Sequence, residues 1–274
     1  MQGKTTVVTG ATSGIGEVAA IRLAEKGARI VMVARDKARA DATMAKLAGS
    51  GHAVHYGDLS RLHEMKRVAD EIAAAEPKID VLINNAGALF NSRQMTEDGL
   101  EKTFALNHMS YFIMTNLLLG RLRATPGARI VSTASDAHKG AKLDFNDLQS
   151  EKKYSGFPVY GRSKLCNILF TRELARRIRD TGITATCLHP GFVATRFGDE
   201  SGGIVSVGVR AAKWAGAITP EDGAKTIVYL ASEPNVGISG SYYYKCKLAT
   251  PTAEAQNDDD ARRLWDVSAH LAGF

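Results

Sequence analysis

Thr9-Gly10-Ala11-Thr12-Ser13-Gly14-Ile15-Gly16 follows a short β-branched run at 5–9 and leads directly into a helical pattern at 14–26. A strand that breaks on glycine and restarts as a helix exposes unpaired backbone N–H groups at the helix start. Gly10 permits the tight turn. Gly14 and Gly16 let backbone and helix approach a pyrophosphate whose charge rests against those N–H groups, with Thr12, Ser13 and Ile15 in the same loop. A glycine triplet alone could serve any tight turn. Its position at the head of a strand–turn–helix unit makes it a dinucleotide signal.

The alternation continues outward from this loop. Residues 29–33, 53–56 and 81–84 read as strands, separated by helical patterns at 37–48 and 61–75. Further along, 129–133 and 183–188 read as strands and 159–179 as a long helix. Pro220 opens a helix to about Ser232, and 241–245 is expected to be the final strand. This period gives βαβ units, hence a doubly wound parallel α/β sheet with helices on both faces. A chain of 274 residues, 45% hydrophobic, suits a single domain spanning 1–274. Two stretches break the alternation, 144–158 and 194–216. In such sheets ligands bind beyond the carboxyl ends of the strands, so 194–216, with Phe197, Ile204, Val205 and Trp214, is expected to be a substrate loop. The run Asn257-Asp258-Asp259-Asp260 reads as a helix cap, since carboxylates favour the positive end of the helix dipole.

Composition removes several function classes. No apolar run is long enough to span a bilayer, and the first one ends in the glycine turn, so neither a signal peptide nor an anchor is expected and the location should be cytoplasmic. Cys166, Cys187 and Cys246 are widely spaced in apolar settings, which fits buried free thiols and neither a disulfide framework nor a metal site. Net charge is +6, but the basic residues are interleaved with acidic ones, as in Arg172-Glu173-Leu174-Ala175-Arg176-Arg177, and form no stripe with aromatics; a nucleic-acid partner is not expected. His52 and His55 make a poor metal pair at strand spacing. His108, His138 and His189 are expected to be structural or packing residues, although His108 and His138 lie where they could touch a substrate. Tyr242-Tyr243-Tyr244 reads as a strand near an apolar interface.

The chemistry is expected at Tyr160-Gly161-Arg162-Ser163-Lys164. Four-residue spacing puts Tyr160 and Lys164 on one face at the start of a helix. A phenol has an ordinary pKa of about 10, and a neighbouring ammonium would favour its ionised form, which is the help a tyrosine acid/base needs. Where an NAD-selective site ends its second strand in a carboxylate, this chain has Ala34 followed by Arg35. The missing carboxylate and the added guanidinium favour NADP(H), with NAD(H) the alternative.

Taken in order, the glycine loop, Asn84-Asn85-Ala86-Gly87 after the fourth strand, Asp58-Leu59 after the third, Tyr160 with Lys164, and Pro190-Gly191 followed by Val193 and Thr195 resemble the short-chain dehydrogenase/reductase family over nearly the whole chain. The resemblance implies a Rossmann fold and hydride transfer between a nicotinamide cofactor and an alcohol or carbonyl. It implies that Asp58 and Leu59 meet the adenine, and that Asn85, Ala86 and Gly87 line the cofactor. Pro190, Gly191, Val193 and Thr195 would lie along the nicotinamide. Tyr160 would be the acid in reduction and the base in oxidation, and Lys164 would hold the ribose and tune Tyr160. Ser135 would steady the substrate oxygen, with Ser132 and Thr133 as competitors, and Asn107 would anchor a relay water. The interval from Ser135 to Tyr160 is about twice the usual one because of an insert around Leu143-Asp144-Phe145-Asn146-Asp147-Leu148. That insert, Leu165-Cys166-Asn167-Ile168-Leu169-Phe170 and the ending Arg262-Arg263-Leu264-Trp265 resemble the retinol dehydrogenase-like branch, implying a lipophilic carbonyl. The insert precedes a helix on which the family pairs, so a homo-oligomer is an open expectation. A non-catalytic dinucleotide sensor on the same fold is the alternative, although a sensor has no need of Asn107, Ser135, Tyr160 and Lys164 together.

Overall fold

In the computed structural model, which describes residues 1–193, 218–236 and 238–274, β-branched and apolar residues alternate between the two faces of one sheet. Val7, Val31, Val33, Leu82 and Ile130 point to one side; Val8, Ile30, Met32, Ile83 and Val131 point to the other. A strand apolar on both faces must be covered on both, and the helices supply the covers. The strands are β1 (Thr5–Thr9), β2 (Arg29–Ala34), β3 (Ala53–Tyr56), β4 (Val81–Asn84), β5 (Arg129–Thr133), β6 (Thr184–Leu188), β7 (Tyr242–Tyr244) and β8 (Lys247–Ala249). Their order is β3-β2-β1-β4-β5-β6-β7-β8, parallel throughout except for β8. The chain therefore starts in the middle, winds out to β3, and crosses back to β4. That reversal leaves a crevice between the ends of β1 and β4.

Helix α1 (Gly14–Glu25) and α2 (Lys37–Met44) follow β1 and β2, and α3 (Leu62–Ala75) follows β3. After β4 come a single turn α4 (Lys102–Phe104), a π-helical turn Ala105–Met109, and α5 (Ser110–Arg123). Helix α6 is Gly156–Arg177, α7 is Pro220–Ser232 and α8 is Asp258–Ala272. Leu23 of α1 and Ile227 and Leu230 of α7 fill one layer. Met65 and Ile72 of α3, Phe112 of α5 and Leu169 and Phe170 of α6 fill the other.

Besides shifts of one or two residues, three features differ from the sequence expectation. Helix α6 starts at Gly156, three residues early, because Pro158 falls in its first turn, where no intrahelical N–H is missed. Helix α2 stops at Met44. The strand expected to be last is followed by β8, joined to β7 through Lys245 and Cys246 at φ 47° and 60°. A two-residue hairpin turn needs positive φ at both positions, usually from Asn or Gly, so nothing in Lys-Cys announces it. The acidic cap is where expected: Asn257 accepts from the backbone N–H groups of Asp259 and Asp260 at 3.0 and 3.1 Å. Helix α8 then lies along α6, with Trp265 stacked on Phe170 at 5.8 Å and Arg172 paired with Asp258 at 2.8 Å.

Candidate active site

The glycine loop is built by contact between β1 and β4. Gly10 has φ 68°, and a Cβ there would lie 2.8 Å from the Ala86 Cα. A Cβ on Gly16 would come closer than 3.0 Å to the Gly10 carbonyl oxygen and the Asn85 amide. The Asn85 Nδ2 donates to the carbonyls of Thr9 and Gly10 at 3.2 and 3.3 Å, while the Thr9 hydroxyl accepts from the N–H groups of Asn85 and Ala86 at 2.9 and 3.1 Å. Two motifs far apart in sequence thus hold one cradle at the N-terminus of α1, and glycine is what leaves it open. Thr12 and Ser13 lie in this loop and Gly14 and Ile15 open α1, with Ile15 packed towards Val193 and α7, where a Cβ on Gly223 would reach both side chains.

Beyond the ends of β2 and β3, Arg35, Asp36, Tyr56, Gly57, Asp58, Arg61 and Glu64 line an open cleft of 670 Å³. Asp36 caps α2, accepting from the N–H of Arg39 at 3.0 Å, so its carboxylate is turned to that helix. Asp58 accepts from the N–H and hydroxyl of Ser60 at 3.0 and 2.8 Å, and Leu59 is buried beneath. The cleft is wet and charged, suited to a polar adenosine end, and lies apart from the carboxyl ends of β5 and β6.

There the helix α6 presents Tyr160 and Lys164, both buried. The Lys164 Nζ donates to the Thr133 carbonyl at 3.1 Å and sits 5.6 Å from the centre of the Tyr160 ring. Tyr160 and the Ser135 hydroxyl are hydrogen-bonding neighbours, and this contact favours the ionised phenol. Burial acts against it and dominates, so Tyr160 is held well above its ordinary pKa and Lys164 is brought down to about 7. The expected pull of an ammonium on the phenol is thus outweighed by desolvation of both groups.

Among the three competitors, Ser132 is fully buried within β5, and Thr133 donates through its hydroxyl to the Asn85 Oδ1 at 3.3 Å. Ser135 alone stands past the strand end, beside the phenol. Asn107, in the π-helical turn, has its amide committed. Its Oδ1 accepts from the Ala88 N–H, and its Nδ2 donates to the Ala88 carbonyl and the Ser163 hydroxyl, all at 2.9 Å. It clamps the segment after Gly87, where a Cβ would lie 3.3 Å from the Lys164 Nζ. Pro190 and Gly191 follow β6, and Val193 is bridged to Ile218. Thr195 and the 194–216 segment lie outside the described residues.

Sequence reasoning weighed Thr133 only for its hydroxyl and gave Ser163 and Tyr111 no role. The Thr133 carbonyl gathers Lys164, Asn167 at 3.3 Å and the Tyr111 hydroxyl at 3.4 Å, a role for a backbone atom that no side chain signals. His108 faces away from the site. Its Nε2 meets the Ser268 hydroxyl of α8 at 2.8 Å, and full burial brings its pKa down to about 3. His189 stacks on Tyr244 at 4.0 Å. Cys166 and Cys187 are buried thiols pushed up to about 12. Among the described residues no group of His, Cys, Asp and Glu could hold a metal, and no helix is long and apolar enough to cross a membrane.

A family model described as short chain dehydrogenase matches residues 4–203. Retinol dehydrogenase 14 of Homo sapiens is 41% identical over 294 residues, covering 100% of this chain and 88% of that protein. Retinol dehydrogenase 13 of Homo sapiens is 38% identical over 282 residues, covering 99% and 85%. A crystal structure of an uncharacterised Mycobacterium paratuberculosis protein, 31% identical, superposes with a TM-score of 0.82 over 99% of this chain and 94% of that one. A short chain dehydrogenase from Burkholderia cenocepacia in complex with NADP, 26% identical, gives 0.71 over 88% and 95%. With its glycine cradle, its Asn85 clamp and its whole-length likeness to these proteins, the chain belongs to the short-chain dehydrogenase/reductase family and to its retinol dehydrogenase-like branch.

Proposed function

We propose that this protein is an NADP(H)-dependent oxidoreductase that interconverts a lipophilic aldehyde or ketone and its alcohol. The observation that carries the reading is the meeting of Tyr160, Ser135 and Lys164 at the carboxyl ends of β5 and β6, beside a glycine cradle that a Cβ would fill. The cradle residues Gly10, Thr12, Ser13, Gly14, Ile15 and Gly16 would hold the pyrophosphate. Arg35, Asp58 and Leu59 would hold the adenosine end, with Asn85, Ala86, Gly87, Lys164, Pro190, Gly191, Val193 and Thr195 along the rest. Bound NADPH supplies the hydride.

A carbonyl reduced to an alcohol gains a hydride at carbon and a proton at oxygen. Tyr160 delivers the proton: burial keeps its phenol protonated at neutral pH, which suits an acid. Ser135 hydrogen-bonds the phenol and would hold the substrate oxygen beside it. Lys164, poised near neutrality, can exchange the proton that Tyr160 gives up. Asn107 fixes the backbone at Ala88 and the neighbouring Ser163. NADP(H) is favoured over NAD(H) because the cleft presents Arg35 where a selective carboxylate would repel a 2′-phosphate, and because two structural relatives, from Burkholderia cenocepacia and Pseudomonas aeruginosa, are complexes with NADP. The lipophilic substrate rests on the retinol dehydrogenase names of the relatives and on two exposed phenylalanines. Phe157 precedes Tyr160 by one turn, and Phe192 follows Gly191.

The test is NADPH consumption against aldehydes and ketones from short and polar to long and lipophilic, for wild type and Tyr160→Phe. Turnover that favours lipophilic members and collapses in the variant is expected. Turnover that survives the substitution overturns the acid assignment, and NADPH binding with no turnover of any member favours a sensor.

A further inference from the structure

Ser135, two residues past β5, has extended backbone, φ −159°, and caps the short turn Asp136–His138 through its hydroxyl, which accepts from the Ala137 N–H at 3.2 Å. The last residue of that turn reaches back. The His138 Nδ1 lies 2.7 Å from the Ser135 carbonyl oxygen, and its Nε2 lies 3.4 Å from the backbone nitrogen of Thr252. A carbonyl only accepts and a backbone N–H only donates. The two contacts together therefore require the neutral ring with its proton on Nδ1. His138 is fully buried, its ring edge-on to Tyr242 at 5.4 Å. Burial lowers its pKa against the opposing pull of the Ser135 carbonyl and of Asp136 and Glu254. The neutral form is thus the one the site stabilises.

We propose that His138 is a positioning residue for the reaction assigned above to Tyr160 and Ser135. Its Nδ1–H holds the Ser135 carbonyl, and its Nε2 braces the turn against the Thr252 segment that follows β8. This inference rests on that functional reading. The turn is a short loop between β5 and the insert, with the extended Ser135 as its only entry. Without the strut the turn keeps only two longer bonds, from the N–H groups of Ala137 and His138 at 3.2 Å each, and the hydroxyl shifts against the phenol. A displaced hydroxyl costs turnover, while the glycine cradle, which binds cofactor elsewhere, is untouched.

Two variants separate the two arms. His138→Asn keeps an amide N–H at the Nδ1 position. His138→Gln places its amide near the Nε2 position and leaves the Ser135 carbonyl with only the His138 backbone N–H at 3.2 Å. We expect His138→Asn to keep kcat within about threefold of wild type and His138→Gln to lose about tenfold or more. The KM for NADPH should hold in both. In a Ser135→Ala background, His138→Gln should cost nothing further, because the residue acts through that hydroxyl. A His138→Gln enzyme with wild-type kcat overturns the proposal. So does an equal loss with and without Ser135, or a His138→Asn enzyme as impaired as His138→Gln. Ring-nitrogen chemical shifts of His138 test the same point without turnover, and a proton found on Nε2 overturns it. Failure of the functional reading would show instead in the wild type, as NADPH binding without reduction.

Discussion

The carbonyl oxygen of Ala137 lies over Gly161 so closely that a Cβ on that glycine would come within 3.0 Å of it. Gly161 directly follows Tyr160, and Ala137 lies two residues after Ser135, so this contact sets the register between the phenol and the hydroxyl. Neither partner can yield easily, because one is helix and the other a hydrogen-bonded turn. Gly161→Ala is expected to push the turn off α6, to cost roughly 1–3 kcal/mol of stability, and to lower kcat about tenfold or more. Thermal unfolding and steady-state kinetics on one preparation check both. An alanine enzyme with wild-type kcat would show that the approach does not govern the site.

Arg35 lines the cleft beyond β2 while Asp36 is occupied in capping α2. Arg35→Glu should therefore raise the Kd for NADPH by about ten- to a hundredfold, the worth of one charge-assisted contact replaced by repulsion. The Kd for NADH should change little. Fluorescence titration with both cofactors reads this directly, and equal weakening would mean that Arg35 contacts no 2′-phosphate.

The parts of this molecule that were legible in the sequence are those where one local rule decides. The strand–glycine–helix junction at 9–16 and the alternating strands predict the sheet because both faces are covered and each strand is short. Tyr160 and Lys164 are legible because helical spacing alone brings them to one face. The β7–β8 hairpin was not, because Lys245 and Cys246 take positive φ that only the tertiary setting, including a 3.2 Å bond from the Cys246 N–H to Thr226, makes tolerable. The upward shift of the phenol is not legible in the sequence for a related reason. Spacing predicts that Tyr160 and Lys164 approach, but says nothing of how dry their surroundings are. His138 is expected from the sequence to be structural, but its particular role is not legible there, since its partner Thr252 is far away in the chain.

Lys164 makes a stability prediction that runs opposite to function. Its pKa in the folded protein is about 7 against an ordinary 10.5, so folding disfavours its charged form. The unfolded chain binds the extra proton. The penalty is therefore full below pH 7 and fades as pH rises to 10.5, reaching roughly 5 kcal/mol at most. Lys164→Met removes the charge and loses the bond to Thr133, leaving a net gain of about 2 kcal/mol at neutral pH. The variant should melt higher than wild type at pH 7, by a margin that narrows towards alkaline pH, while its turnover collapses. A margin that widens with pH would place the Lys164 titration elsewhere.

The two directions of the reaction should part company in pH. On the proposed function reduction needs Tyr160 protonated, and burial holds the phenol above its ordinary pKa, so the reductive kcat should not fall on the alkaline side before about pH 10. Oxidation needs the same group to accept a proton, and its rate should climb with pH across this range. The Ser135 hydroxyl is the contact that favours the ionised phenol. Ser135→Ala should therefore move the oxidative limb to still higher pH as well as lowering its height, whereas a substitution that merely weakened substrate binding would lower it without displacement. The reductive profile from about pH 6 to about pH 10 tests the first expectation, and an oxidative profile carried above about pH 10 towards its plateau tests the second. A reductive rate already falling above neutrality would mean that the proton comes from a more acidic group than Tyr160, with Lys164, at about 7, the first to examine.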